Sequence, residues 1–188
     1  MRALPLLAGL LLSAATATHA AEPVTVLGLP LGGKLKMPIR QCSFKEVGTD
    51  ARSMCWVDAP TTYQGTKSGI VIVPGSDKRP LWAAHATFRI DVSRDGTLES
   101  FSAHTAQASS FVEILNSITG RFGQSTRESR PGSRIHSAQW NSKGMHIELI
   151  CSDDMGCNSV FVSAAVVTAT ERAVSARKAI EAARPAAP

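Results

Sequence analysis

Residues 28–35, with the sequence GLPLGGKL, have the glycine and lysine spacing of a phosphate-binding loop. Such a loop cradles phosphates at the start of a helix, and a Ser or Thr after the lysine holds the metal ion. Leu35 stands where that hydroxyl is required, and Pro38 would break a helix within a turn. We therefore interpret residues 28–38 as irregular chain, and the sequence predicts no nucleotide cofactor.

Histidines and carboxylates are the next candidates, as metal ligands or as general acids and bases. The histidines beyond the N-terminal segment lack the His-Glu-x-x-His spacing of a helical zinc site; they are His85, His104, His136 and His146. His146 and Glu148 would share one face of a strand, but a zinc site usually needs three protein ligands. Asp153 and Asp154 lie in a turn without the regular carboxylate spacing of a calcium loop. The sequence therefore predicts no metal cofactor.

A catalytic serine of the hydrolase type would stand in a Gly-x-Ser-x-Gly turn, and the chain has no such pentapeptide. A small hydrolase whose site is assembled from distant residues stays open as an alternative. Its candidate residues are His146 with Glu148, or His104 with an Asp. We lean towards a protein that is not an enzyme.

The loop after residue 120 is the first candidate binding surface. Arg121, Arg127, Arg130 and Arg134 face only one nearby carboxylate in the sequence, that of Glu128. Arginine is favoured at interfaces because its planar guanidinium forms two hydrogen bonds with one carboxylate. The alternative is a solvated loop that keeps the protein soluble.

A second candidate binding surface consists of Lys78, Arg79 and Trp82, with Pro80 and Leu81 between Arg79 and Trp82 in the chain. A tryptophan beside basic residues could anchor a partner protein or a glycan. The alternative is that Trp82 belongs to the core, as we expect for Trp56 and Trp140.

Four cysteines, an even number, indicate two disulfides in an exported protein. Of the three possible pairings, we expect Cys42–Cys55 and Cys151–Cys157, because each pair brackets a turn. Each bridge should stabilise the fold by about 2–3 kcal/mol through loop closure.

Residues 1–20 have the features of a secretory signal peptide: Arg2, an apolar stretch over residues 4–15 and small residues at Thr18 and Ala20. The stretch is shorter than the roughly 20 apolar residues that cross a membrane. We expect cleavage before Ala21, no membrane span and a periplasmic location, with secretion as the alternative.

Composition fits a folded domain. The 188 residues are 44% hydrophobic and 19% charged, with a net charge of +5 and no basic block, so we do not expect a nucleic-acid partner. We expect residues 21–184 to form a single domain and residues 185–188 to fray.

The elements follow from periodicity. Phe88, Ile90 and Val92 alternate with polar residues before an Asp-Gly turn, which predicts a hairpin of residues 86–104. An apolar stripe after a capping box predicts a helix over residues 110–122. Further strands are predicted near residues 24–27, 69–74, 135–141, 145–151 and 159–167, a bridged hairpin over 42–57, and a C-terminal helix over 168–184.

This order of strands and helices predicts an α+β fold, with an antiparallel sheet of short strands and the 110–122 helix packed on one face. We expect a non-catalytic protein-binding domain of the cell envelope, such as an inhibitor or immunity protein against an envelope-acting enzyme. The alternatives are the small hydrolase above and an envelope assembly or structural factor that docks through its C-terminal helix.

Overall fold

The computed structural model of the chain describes residues 24–47, 51–75, 79–106, 111–129, 132, 134–142 and 145–182. The predicted signal peptide, residues 1–20, and the predicted frayed tail, residues 185–188, lie outside these ranges. Among the helices that the structure describes, none is long and apolar enough to span a membrane.

The fold is α+β, as predicted, with two α-helices, a two-stranded hairpin and a ten-stranded sheet. The helices are α1 (Phe111–Phe122) and α2 (Ala164–Ala182). The strands are β1 (Val24–Val26), β2 (Leu29–Leu31), β3 (Arg40–Gln41), β4 (Cys55–Trp56), β5 (Thr61–Tyr63), β6 (Thr66–Ile72), β7 (Thr87–Val92), β8 (Leu98–Thr105), β9 (Arg127–Glu128), β10 (Ile135–Ser142), β11 (Met145–Ser152) and β12 (Gly156–Val162).

The large sheet has the strand order β3-β4-β6-β7-β8-β12-β11-β10-β9, and β5 pairs with β6. Its inner face carries the core, in which alternate residues of β7, β8, β10, β11 and β12 are buried. Helix α1 covers this face, and the β1–β2 hairpin adds its buried leucines and Val26 to the same cluster. We call the opposite side of the sheet the outer face.

The β7–β8 hairpin confirms the predicted alternation. Phe88, Ile90 and Val92 are buried, and the turn closes at Gly96, whose φ is +85°. Asp95 stabilises this turn by accepting hydrogen bonds from the Lys34 ammonium at 2.8 Å and from the Ser93 hydroxyl at 2.5 Å.

Helix α1 confirms the predicted stripe. Ile114 and Ile118 are buried in the core, and Phe122 lies 6.2 Å from Phe161, centroid to centroid. The helix ends at Gly123, which has φ +91° and accepts a hydrogen bond on its carbonyl from the indole of Trp140 at 3.0 Å. The predicted cap, Ser110, lies outside the described residues.

Both predicted disulfides are present, and the Cys151–Cys157 bridge closes the β11–β12 hairpin as expected. The register that this bridge sets places His146 opposite Val162 and Glu148 opposite Val160. His146 and Glu148 share one face of β11, as predicted, and this face is the partly covered outer one, while the intervening residues are buried in the core.

The prediction of an antiparallel hairpin over residues 42–57 is wrong. Strands β3 and β4 are parallel, and the disulfide joins Cys42, just after β3, to Cys55 in β4. The Glu46 carboxylate folds the intervening loop because it binds both Arg40 guanidinium nitrogens and the backbone N–H and hydroxyl of Ser43.

The boundary between the last strand and the last helix also differs from the prediction. The strand expected over residues 159–167 ends at Val162, and α2 begins at Ala164 rather than at 168. Strand β12 ends here because its partner β8 reaches its own turn, and the last contact is the bond from Ser163 N–H to the carbonyl of Glu99. The alanines that follow favour helix once no neighbouring strand pairs with them.

Three segments predicted as loops contain short strands: β2 within residues 28–38, β5 within 61–68 and β9 within 124–134. The first two form tight hairpins whose turns have positive φ at both central residues, Leu27–Gly28 and Gln64–Gly65. Such turns match the twist of paired strands. They lacked the Asn-Gly or Asp-Gly signature on which the sequence-based prediction relied.

Candidate functional site

A groove crosses the outer face of the large sheet. Its first part is a cavity of about 410 Å³ over the central strands β7, β8, β11 and β12. It is lined by Ile70, Thr87, Arg89, Ser102, His104, Ile150, Ser152, Met155, Gly156 and Asn158. Strand pairing brings these side chains together because directly opposed residues point to the same face of a sheet.

Two rows of opposed residues form the floor of this part. In one row Thr87 of β7, His104 of β8 and Asn158 of β12 lie side by side. In the next row Arg89 lies beside Ser102. The floor therefore presents a guanidinium, an imidazole, an amide and two hydroxyl groups within a patch three strands wide.

The second part of the groove lies where β6 and β7 diverge beyond their last pair, Val71 with Phe88. It is a cavity of about 790 Å³ lined by Val47, Val57, Ile70, Val71, Ile72, Val73, Arg79, Ala84, His85, Ala86, Thr87 and Phe88. Because Ile70 and Thr87 line both cavities, the two form one continuous surface. We refer to it as the outer groove.

Among the described residues that line these two cavities, the ionisable ones are Arg79, His85, Arg89 and His104, and none is an Asp or Glu. A neighbouring cavity shares Ser152 and Met155 with the first part of the groove and is lined by Arg134, Asp153 and Asp154. Three of the groove's apolar side chains are open to solvent, with Ile70 40%, Ile150 41% and Met155 71% exposed, whereas Val71 and Val73 are buried. Exposed apolar surface rimmed by polar groups is typical of binding sites.

Arg89 is held in place by its neighbours. Its Nε and Nη2 donate to the hydroxyl of Ser68 at 3.2 and 2.9 Å, and that hydroxyl donates to the Asp91 carboxylate at 2.5 Å. Asp91 also accepts from Ser100 and does not line the groove. Within the described part of the chain Nη1 of Arg89 has no hydrogen-bond partner, so one edge of the guanidinium can bind a ligand.

His146 and Glu148, the pair considered for catalysis, are each engaged with strand β10. The His146 Nδ1 lies 2.9 Å from the amide oxygen of Asn141, and Glu148 accepts from the Gln139 amide at 3.0 Å. Across the described ranges, no cluster of three or more His, Cys, Asp or Glu could hold a metal ion. His104 has no hydrogen bond to an Asp in the same ranges.

The predicted arginine surface is spread over three elements. Arg121, at the end of α1, donates to the carbonyl of Thr25 and lies over the Phe122 ring. Arg127 lies in the edge strand β9, opposite Gln139. Arg134 lines the neighbouring cavity together with Asp153 and Asp154, so carboxylates are close to it. Arg130 lies outside the described residues.

Of the second predicted surface, Lys78 lies outside the described residues. Arg79 donates to the carbonyls of Val73 and Pro74 at 2.6 and 2.7 Å, and its guanidinium lies 5.3 Å from the centre of the Phe88 ring. Trp82 is buried, with 8% of its surface exposed, and belongs to the core. Arg79 therefore fixes one wall of the outer groove, and Trp82 contributes to packing.

The outer groove was not predicted from the sequence. Its signal is the polar half of the alternation in β7, Thr87 and Arg89, which by itself does not distinguish a binding surface from a solvated face. Its meaning depends on β8 and β12, because pairing places His104 and Asn158 beside Thr87. Comparison of the chain with protein-family models, curated proteins and solved structures finds no significant match.

Proposed function

We propose that this chain is a non-catalytic protein-binding domain of the cell envelope, such as an inhibitor or immunity protein against an envelope-acting enzyme, and that it binds its partner in the outer groove. The observation that carries this proposal is the open outer face. Exposed aliphatic side chains there flank four polar side chains without a hydrogen-bond partner within the described residues, those of Thr87, Ser102, His104 and Asn158. Exposed apolar surface beside polar groups is typical of binding sites.

The outer groove is built for rigid recognition. Its floor consists of hydrogen-bonded strands, and the Cys151–Cys157 disulfide closes the hairpin that carries Ile150 and Asn158. A surface that is already ordered loses little conformational entropy when a partner binds, so more of the contact energy appears as affinity.

The proposed location rests on two features. The N-terminal segment has the sequence of a secretory signal, and both cysteine pairs are at disulfide distance in the structure. Disulfides persist in oxidising compartments such as the periplasm. We propose the periplasm, with secretion beyond the cell as the alternative.

Site-specific photo-crosslinking in intact cells tests the binding proposal. A photoreactive residue placed at Ile150, in the outer groove, should give one dominant adduct that mass spectrometry can identify. The matched control is Val112, an aliphatic residue of α1 that is also exposed. It should give no such adduct.

The purified partner then tests the class of function. If the partner is an enzyme, its turnover should fall when this protein is added, and Ile150→Asp should relieve the inhibition. Equal crosslinking from Ile150 and Val112 would contradict a role for the outer groove. Hydrolysis of an envelope substrate by the protein alone, abolished by His146→Ala, would replace the proposal with the hydrolase alternative.

A further inference from the structure

We infer that the outer groove binds an acidic segment of the partner, with a carboxylate at Arg89 and His104 and a neighbouring aliphatic side chain against Ile70, Ile150 and Met155. This inference rests on the proposed function and specifies the chemistry of the partner.

The groove floor carries five polar side chains that can donate hydrogen bonds: Thr87, Arg89, Ser102, His104 and Asn158. All except Arg89 can also accept. The permanent positive charge of Arg89 favours an ionised carboxylate, which has only acceptor sites, over a cationic side chain.

The charges beside the groove floor also favour an acidic segment. Among the described residues that line the two cavities of the outer groove, every ionisable one is an arginine or a histidine, and Asp91, on the same face, already accepts from Ser68 and Ser100. The carboxylates of Asp153 and Asp154 line the neighbouring cavity together with Arg134. Complementary charge selects a partner of the opposite sign and speeds association. An acidic segment meets this condition, and a basic one would be repelled.

The shape of the cavity over the floor also fits such a segment. The cavity over the floor, about 410 Å³, is bordered on opposite sides by Ile70 of β6 and by Ile150 and Met155 of the β11–β12 hairpin. These side chains flank the donor cluster rather than cover it. A segment with a carboxylate between aliphatic residues would therefore satisfy the floor and the rim at the same time.

The probe is a blocked pentapeptide, acetyl-Ala-Leu-Glu-Leu-Ala-amide, compared with the peptide that has Gln in place of Glu. Titration of the isotope-labelled protein is followed by the backbone amide resonances in NMR. We expect the Glu peptide to shift the resonances of Thr87, His104 and Asn158, and to bind roughly tenfold more tightly than the Gln peptide because its hydrogen bonds are charge-assisted.

Two variants locate the carboxylate. Arg89→Gln should weaken binding of the Glu peptide roughly tenfold and leave the Gln peptide unchanged. Ser102→Glu keeps Arg89 but places a competing carboxylate directly opposite it, and should have the same effect. The matched control, Arg94→Gln, removes a charge from the exposed β7–β8 turn and should change neither affinity.

Equal affinity for the two peptides, no binding of the Glu peptide, or a loss of affinity in Arg94→Gln as large as that in Arg89→Gln would overturn the inference. The proposed function has a separate readout. If the yield of the Ile150 adduct is unchanged by Arg89→Gln, the proposed binding function stands, and the inference that the partner presents an acidic segment is wrong.

Discussion

Gly156, at the start of β12, provides a sharp test of the sheet geometry under the outer groove. Its φ is +73°, and a Cβ added to it would lie 2.0 Å from the carbonyl oxygen of Thr105 and 2.9 Å from the Cα of Ala106. Both obstacles are backbone atoms at the end of β8, where Thr105 pairs with Cys157. Gly156→Ala should therefore force these two strands apart.

The expected cost follows from two contributions. A non-glycine residue at positive φ costs about 1–2 kcal/mol. In addition, the β8 backbone must move by about 1 Å, so that the Thr105 carbonyl oxygen lies 3.0 Å from the new Cβ instead of 2.0 Å. This movement would break backbone pairing between β8 and β12 at a buried position. A buried polar group left without a partner costs about 1–3 kcal/mol. Gly156→Ala should thus lower the free energy of unfolding by about 2–5 kcal/mol.

Two other glycines separate these contributions. Gly123 has φ +91° with no atom within 4 Å of an added Cβ, so Gly123→Ala should cost only about 1–2 kcal/mol. Gly120 lies in α1 with equally open surroundings, and Gly120→Ala should stabilise the protein by about 0.5–1 kcal/mol. Urea unfolding monitored by circular dichroism measures all three. The reasoning fails if Gly156→Ala costs no more than Gly123→Ala.

Three further predictions concern stability. Replacing Cys151 and Cys157 together by alanine should lower the free energy of unfolding by about 2–3 kcal/mol, because the bridge closes a short loop in the unfolded chain. A variant whose urea unfolding curve matches that of the oxidised parent would contradict this. The pKa of Glu46 is lowered to about 2 by its hydrogen bonds to Arg40 and Ser43, so its contribution to stability is present above pH 4.5 and is lost as the pH falls towards 2. The melting temperature of Glu46→Gln should accordingly change less than that of the parent between pH 5 and about 2, and parallel profiles would refute the assignment. Truncation after Val167 should leave the melting temperature within about 2 °C of that of the full chain, because the described side chains beyond it are exposed. A larger fall in the melting temperature would show that α2 stabilises the domain.

The sequence predicted the elements whose determinants are local. The alternation of Phe88, Ile90 and Val92 before an Asp-Gly turn is contained in one stretch of chain, and so is the stripe of α1. The Cys151–Cys157 pair is also local, because both residues flank one turn. Each of these features specifies its structure without information about distant parts of the chain.

What the sequence did not predict depends on contacts between distant segments. Strands β3 and β4 pair in parallel, and the Glu46 carboxylate binds Arg40 of β3 and Ser43 just after it; no period in the sequence signals that arrangement. Strand β12 ends opposite the first residues of β8, although the residues after it are mostly apolar. Arg79 and Arg89 are alike in the sequence, but the first binds backbone carbonyls and the second faces a groove.

The short strands at the borders of the large sheet have a consequence for how any partner can attach. At one border, strand β9 has two residues and pairs with the middle of β10. At the other border, β3 is two residues long and β5 three. Very short edge strands discourage copies of a protein from joining edge to edge. We expect the proposed partner to meet the broad side of the sheet, so that specificity depends on side chains and can change by substitution without altering the scaffold.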